Sequence, residues 1–208
     1  MPHTMPGLER GASYDYIHDY GGIDYYGVRI FNLGTENRAE VVPFKTTVVD
    51  LHNHPNQSAP SPQDLFLVAD LGTDTKKYPH YQGEIIIDCY KNDTVMYFMM
   101  VNDREELKNL RDSLKNEVDS VTNDFKKGGK CKKYLFEHRK LAYSVNRIEK
   151  DMIKLMCIVK RYTNGNSIYF GRFQWNSTEG REKGVMTVYN IIESVSSKGK
   201  PITTPVKC

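Results

Sequence analysis

The densest set of chemistry-bearing side chains lies in TTVVDLHNHPNQSAPSPQDLFLVADL, residues 46–71. This stretch opens as an apolar, β-branched run, sets His52 and His54 one residue apart, and continues into a Ser/Pro-rich loop. Side chains two apart on a strand share a face, so the two imidazoles project together, close enough to share one ion. Ser61-Pro62-Gln63-Asp64 has the start signature of a helix, with serine as N-cap, proline at the first helical position and an acid at the third. A loop of six residues, Pro55 to Pro60, can fold that helix start back over the strand end and bring Asp64 to the histidines. Two nitrogens and one carboxylate oxygen, with a fourth position open, form a ligand set that suits catalytic zinc.

Each part alone has a plainer explanation. Strand histidines often only hydrogen-bond, and an acid in the first turn of a helix is favoured by the dipole. The combination is more specific. HNHPNQSAPSPQD resembles the metal-binding motif of the JAMM (JAB/MPN) metalloproteases, in which a distant glutamate precedes HxHP and then SxxD. HNHP…PSPQDL is also similar to the RadC-like branch of that superfamily. The likeness is sharp over residues 46–71 and looser through the hairpin that follows, and the loop before Ser61 is one residue shorter than in the family pattern.

The resemblance implies one Zn²⁺ held by His52, His54 and Asp64, with Ser61 hydrogen-bonding the water or the tetrahedral intermediate. It implies a metal that lowers the pKa of water and polarises a scissile carbonyl. An upstream glutamate would carry the proton from the water to the leaving amine. The implied fold is α/β, a cytidine-deaminase-like mixed sheet flanked by helices, over residues 1–102, with a helical and β extension over residues 103–208. The implied activity is that of a zinc metallopeptidase or isopeptidase acting on a protein or peptide, a ubiquitin-like tail among the candidates. JAMM-like modules also occur as effector domains of secreted polymorphic toxins, where an immunity protein would be the partner, and as interaction scaffolds without catalysis.

Three glutamates precede the histidines: Glu9, Glu36 and Glu40. Family members carry theirs on an early strand, often just before a glycine. Glu9, in LERGASYDYI, meets both conditions, whereas Glu36 lies in the turn-like LGTENR and Glu40 directly enters the motif strand. Glu9 is the preferred general acid/base, with the other two still open.

The surroundings are those of an ordinary globular chain. Of 208 residues, 39 % are hydrophobic and 26 % charged, too apolar for disorder. A formal net charge of +3 gives no support to a nucleic-acid partner. Cys89, Cys131, Cys157 and Cys208 contain no CxxC pair, which argues against a zinc ribbon and a disulfide framework. The N-terminal residues lack the apolar core of a signal peptide, and no segment has the length and apolarity of a membrane span. The expected location is the cytoplasm, or outside the cell by a route without a cleavable signal.

Hydrophobic patterning supplies the elements that must position the site. IDYYGVRIFN and EVVPFKTTVVDL read as strands, with Pro43 marking a bulge or an edge. A helix is expected from Ser61 to about Leu71, then a hairpin in GEIIIDCYKNDTVMYFMMV. Leu107, Leu110, Leu114, Val118 and Val121 predict one amphipathic helix through residues 103–125. A second helix is expected over about Tyr134–Val159, then two strands and a polar tail. The order β-β-α-β-β-α-α-β-β predicts an α/β fold whose sheet is mixed or mainly antiparallel. KKGGKCKK reads as a solvated connection, and His18, His80 and His138 have no metal-ligand spacing to one another.

Overall fold

A computed structural model of the chain describes residues 10–18, 21–31, 34–35, 38–39, 41–54, 59–90, 93–137, 147–176, 183–195 and 201–207. The first half contributes β1 (Gly11–His18), β2 (Asp24–Phe31), β3 (Gly34–Thr35), β4 (Arg38–Ala39), β5 (Thr47–Asn53), α1 (Pro62–Thr73), β6 (Gly83–Tyr90) and β7 (Asp93–Val101). The second contributes α2 (Arg104–Leu114), β8 (Val118–Asp119), β9 (Asp124–Phe125), α3 (Lys130–Glu137), α4 (Arg147–Tyr162), β10 (Ile168–Asn176), β11 (Lys183–Val195) and β12 (Pro201–Lys207).

Eight of these strands form one mixed sheet in the order β12-β11-β10-β7-β6-β5-β1-β2. Only β5 and β6 pair in parallel within it, Asp50 opposite Glu84 and His52 opposite Ile86. Parallel neighbours need a crossover, and α1 supplies it. The sheet runs on past residue 102, because β7 pairs along its whole length with β10.

Alternation along the strands decides which face is covered. In β6, Glu84, Ile86 and Asp88 are buried on one face, while Ile85 and Ile87 are half-buried on the other. Ile86 joins Val95, Tyr97 and Met99 of β7 beneath Leu65, Val68 and Ala69 of α1, Leu107, Leu110 and Leu114 of α2, and Met152, Leu155 and Ile158 of α4. Full burial of such a side chain stabilises by about 1.5–3 kcal/mol, so this layer is what holds α1 over β6 and β7. The histidine pair sits on the same helix-covered face.

Four expectations change. The first strand is a hairpin, β1 and β2 paired from Gly11↔Phe31 to His18↔Asp24. The helix expected through residue 125 ends at Leu114. Beyond it Asp119 Oδ1 accepts the backbone N–H groups of Val121 (2.9 Å) and Thr122 (3.2 Å), a local alternative to helical bonding in a β-branched stretch. Val118 then lies buried in β8, and Val121 is 89 % exposed. The polar tail carries β12, an edge strand that tolerates Pro201 at its first position and Pro205 within it. Pro43 lies outside the strands, before the central β5.

The second expected helix is represented by α3 and α4, with His138, Leu141 and Val145 outside the described residues. Cys131, inside KKGGKCKK, is buried at the start of α3. Among the described residues no helix is long and apolar enough to cross a membrane.

Candidate metal centre

β5 delivers both histidines. Its pleat buries Asp50 and His52 on the helix-covered face, and His54 follows at the strand end, where its N–H donates to Ile87 O (3.1 Å). The start of α1 delivers the acid. Ser61 is the N-cap, in extended backbone, and forms a reciprocal capping box with Asp64. Its N–H donates to Asp64 Oδ2 (2.6 Å), and Asp64 N–H donates to Ser61 Oγ (3.3 Å). The box fixes the carboxylate at the positive end of the helix dipole, aimed at the strand.

His52, His54 and Asp64 therefore meet as a buried group with ligand geometry. The two Nε2 atoms are 2.8 Å apart, and each lies 3.7 Å from an oxygen of Asp64. Tetrahedral zinc with ligand distances of 2.0–2.2 Å sets neighbouring ligand atoms about 3.3 Å apart, a value these separations bracket. The residues fit a zinc ion, with one coordination position left to a non-protein group. Among the described residues no fourth His, Cys, Asp or Glu joins the group.

The electrostatics favour a cation. Glu84, on the neighbouring strand and 1 % exposed, places Oε1 3.0 Å from His52 Nδ1, somewhat off the ideal hydrogen-bond direction. An ionised Glu84 in that place would favour the tautomer with hydrogen on Nδ1 and turn the Nε2 lone pair of His52 toward His54. Asp50 stands beside Glu84 in register and accepts the Tyr81 hydroxyl at 2.8 Å. Burial pushes the carboxyls of Asp50 and Glu84 well above their usual range. Repulsion adds to it, from Glu84 at Asp50 and from Asp64 at Glu84. Asp88, two positions beyond Ile86, is also raised by burial, while His54 and Arg172 pull it back down. Buried carboxylates in such number are held by partners or by a metal.

Ser61 lies next to the group as the N-cap that holds Asp64, its oxygen accepting Asp64 N–H. Glu9, Glu36 and Glu40 all lie outside the described residues. Of the other histidines, His18 pairs with Asp24 (2.6 Å) and His80 packs on the Tyr16 ring, neither of them near a ligand group.

Three acids of the site, Asp50, Glu84 and Asp88, escaped the reading of the sequence. A signal for two of them was present: GEIIID sets acids four apart on a strand, hence on one face, with three isoleucines between them. Inward charge on so apolar a strand is unusual enough to single out that face.

No protein-family model, curated protein or solved structure shows a significant match to the chain. The class the fold and site define is an α/β protein with a candidate metal centre under a helix N-terminus, and its chemistry stands on this geometry alone.

Proposed function

We propose that the chain is a zinc-dependent hydrolase of peptide or isopeptide bonds, of the JAMM kind. The observation that carries this reading is the convergence of His52, His54 and Asp64 among further buried carboxylates, with Glu84 on the far side of the His52 ring. A zinc ion held there supplies Lewis acidity toward a carbonyl and lowers the pKa of a water.

The remaining work falls to the chain. Glu84 and the capping box hold two of the three ligands in place before substrate arrives. The Ser61 hydroxyl donates to the oxygen on which negative charge develops as the carbonyl is attacked. Glu9 accepts the proton of the water and hands it to the leaving amine. Chain continuity supports that assignment: Arg10, the next residue, donates its N–H to Asn53 Oδ1 and accepts Asn53 N–H at its carbonyl (3.0 Å). Asn53 lies between the two histidines.

The test is zinc-dependent release of new amino termini or lysine amines from a panel of peptide and isopeptide-linked substrates. Wild type cleaves at least one of them, and Glu9→Gln lowers the rate by about 10²–10⁴-fold while keeping its zinc. Equal rates in the two proteins remove Glu9 from the reaction. No cleavage of any substrate by zinc-loaded wild type refutes the hydrolase.

A further inference from the structure

A cavity of about 420 Å³ opens beside the start of α1, and Ser61, the N-cap bonded to Asp64, belongs to its wall. Its opposite wall comes from β9, α3 and α4, so here the chain beyond residue 102 faces the N-cap of α1, three residues before Asp64. The volume falls within the range of small-ligand and side-chain pockets.

The lining selects the occupant. Pro60 and Pro62 have no N–H, and the Ser61 N–H between them is already donated to Asp64. This wall therefore presents carbon, not backbone donors. Phe125, Leu135 and Leu155 extend the apolar surface across the cavity. The charged residues at its margin pair with one another, Lys132 with Asp124 and Lys154 with Asp151. Two lysines matched by two aspartates leave no net charge for an anion or a cation to balance. A neutral, apolar group is what such a space takes from water.

We infer that this cavity receives a large apolar side chain of an extended polypeptide, seated so that the peptide passes Ser61 toward the metal centre. That the apolar group belongs to a polypeptide rests on the hydrolase reading above; that the cavity takes an apolar group rests on its lining alone. The inference gives the extension a role, that of selecting polypeptides by an aromatic or branched aliphatic residue near the bond presented to the metal.

Binding can be read without catalysis. The full-length ¹⁵N-labelled chain is titrated with acetyl-Gly-Phe-Gly-amide and, separately, with acetyl-Gly-Gly-Gly-amide and acetyl-Gly-Glu-Gly-amide, following the amides of Ala59, Ser61, Phe125 and Leu135. The phenylalanine peptide should shift these resonances saturably, and the other two should not at the same concentrations. Ala59→Phe, which fills the cavity, should weaken that binding at least tenfold. Phe136→Ser, at an exposed wall position tolerant of change, should weaken it several-fold in a folded protein. Absent shifts, or equal shifts with the glycine peptide, overturn the inference.

Mapping zinc-dependent cuts in a reduced, carboxymethylated protein then separates the two readings. Cuts enriched beside large apolar residues, and lost in Ala59→Phe, support the cavity as the specificity site. Cuts without such enrichment overturn it and leave the hydrolase standing. Saturable phenylalanine-peptide binding with no cut at all upholds the pocket and removes the hydrolase.

Discussion

Glu84 Oε1 lies 3.0 Å from His52 Nδ1, on the edge of the ring turned away from the Nε2 that meets His54 and Asp64. That placement puts Glu84 behind the ring, away from the side on which the three candidate ligands meet. Carboxylates behind metal-binding imidazoles commonly fix ring orientation and tautomer, and that is the task proposed for Glu84. In the proposed hydrolysis the proton transfer is therefore assigned to Glu9 and not to Glu84.

Removing this partner should weaken the site without dismantling it. Glu84→Ala is expected to lower zinc affinity 10–100-fold, and Glu84→Gln, which keeps an acceptor oxygen, should lower it less. Competition against a chromophoric chelator measures both. Wild-type affinity in Glu84→Ala would show that the contact does nothing for the metal.

Ser61 caps α1, and the proposed hydrolysis gives it a second, separable duty. As N-cap of α1 its loss in Ser61→Ala should destabilise the chain by about 1 kcal/mol in urea unfolding, whereas Ser61→Asn, an equally good cap, should stay near wild type. Hydrolysis should fall in both variants, since neither has the hydroxyl. A slow Ser61→Ala beside an unimpaired Ser61→Asn would assign the serine to capping alone.

The parts of the site legible in the sequence are those written in local rules. The HxH pair on a strand and the Ser-Pro-Gln-Asp helix start need only backbone periodicity and capping chemistry, and both stand where the motif puts them. Glu84 and Asp50 become neighbours through the parallel pairing of β5 with β6, a relation fixed by the α1 crossover and invisible in either segment alone. The early end of α2 was hidden for another reason. Val118 and Val121 continue its apolar spacing, and the Asp119 side chain overrides that period by bonding the following backbone.

Gly83 opens β6 at φ +146°, and a Cβ there would stand 2.2 Å from the carbonyl oxygen of Met99. Gly83→Ala should therefore destabilise the chain by roughly 2–4 kcal/mol in chemical denaturation, and should also weaken zinc binding because Glu84 is the next residue along. A near-neutral Gly83→Ala would mean that β6 can shift without consequence.

Cys131 provides a pH test away from the metal. Burial pushes its thiol up to about 11, with the Tyr162 hydroxyl, the Glu117 carboxylate and the Arg161 guanidinium around it. An unfolded cysteine ionises near 8.5. The native state thus keeps a proton that the unfolded chain releases, so stability should fall as pH rises from about 9 toward 11. Cys131→Ala should flatten part of that slope in urea melts at pH 8 and pH 10.5, and iodoacetamide at pH 8 should leave folded Cys131 unmodified. Rapid alkylation of the folded protein would contradict the burial.

The central claim is that His52, His54 and Asp64 hold zinc, and elemental analysis tests it most directly. Wild type and His54→Ala are purified without added zinc or chelating resin, then measured before and after equilibration with zinc. The account predicts close to one zinc per wild-type chain and its loss in His54→Ala. A wild-type chain that carries no metal and binds none on titration would contradict it.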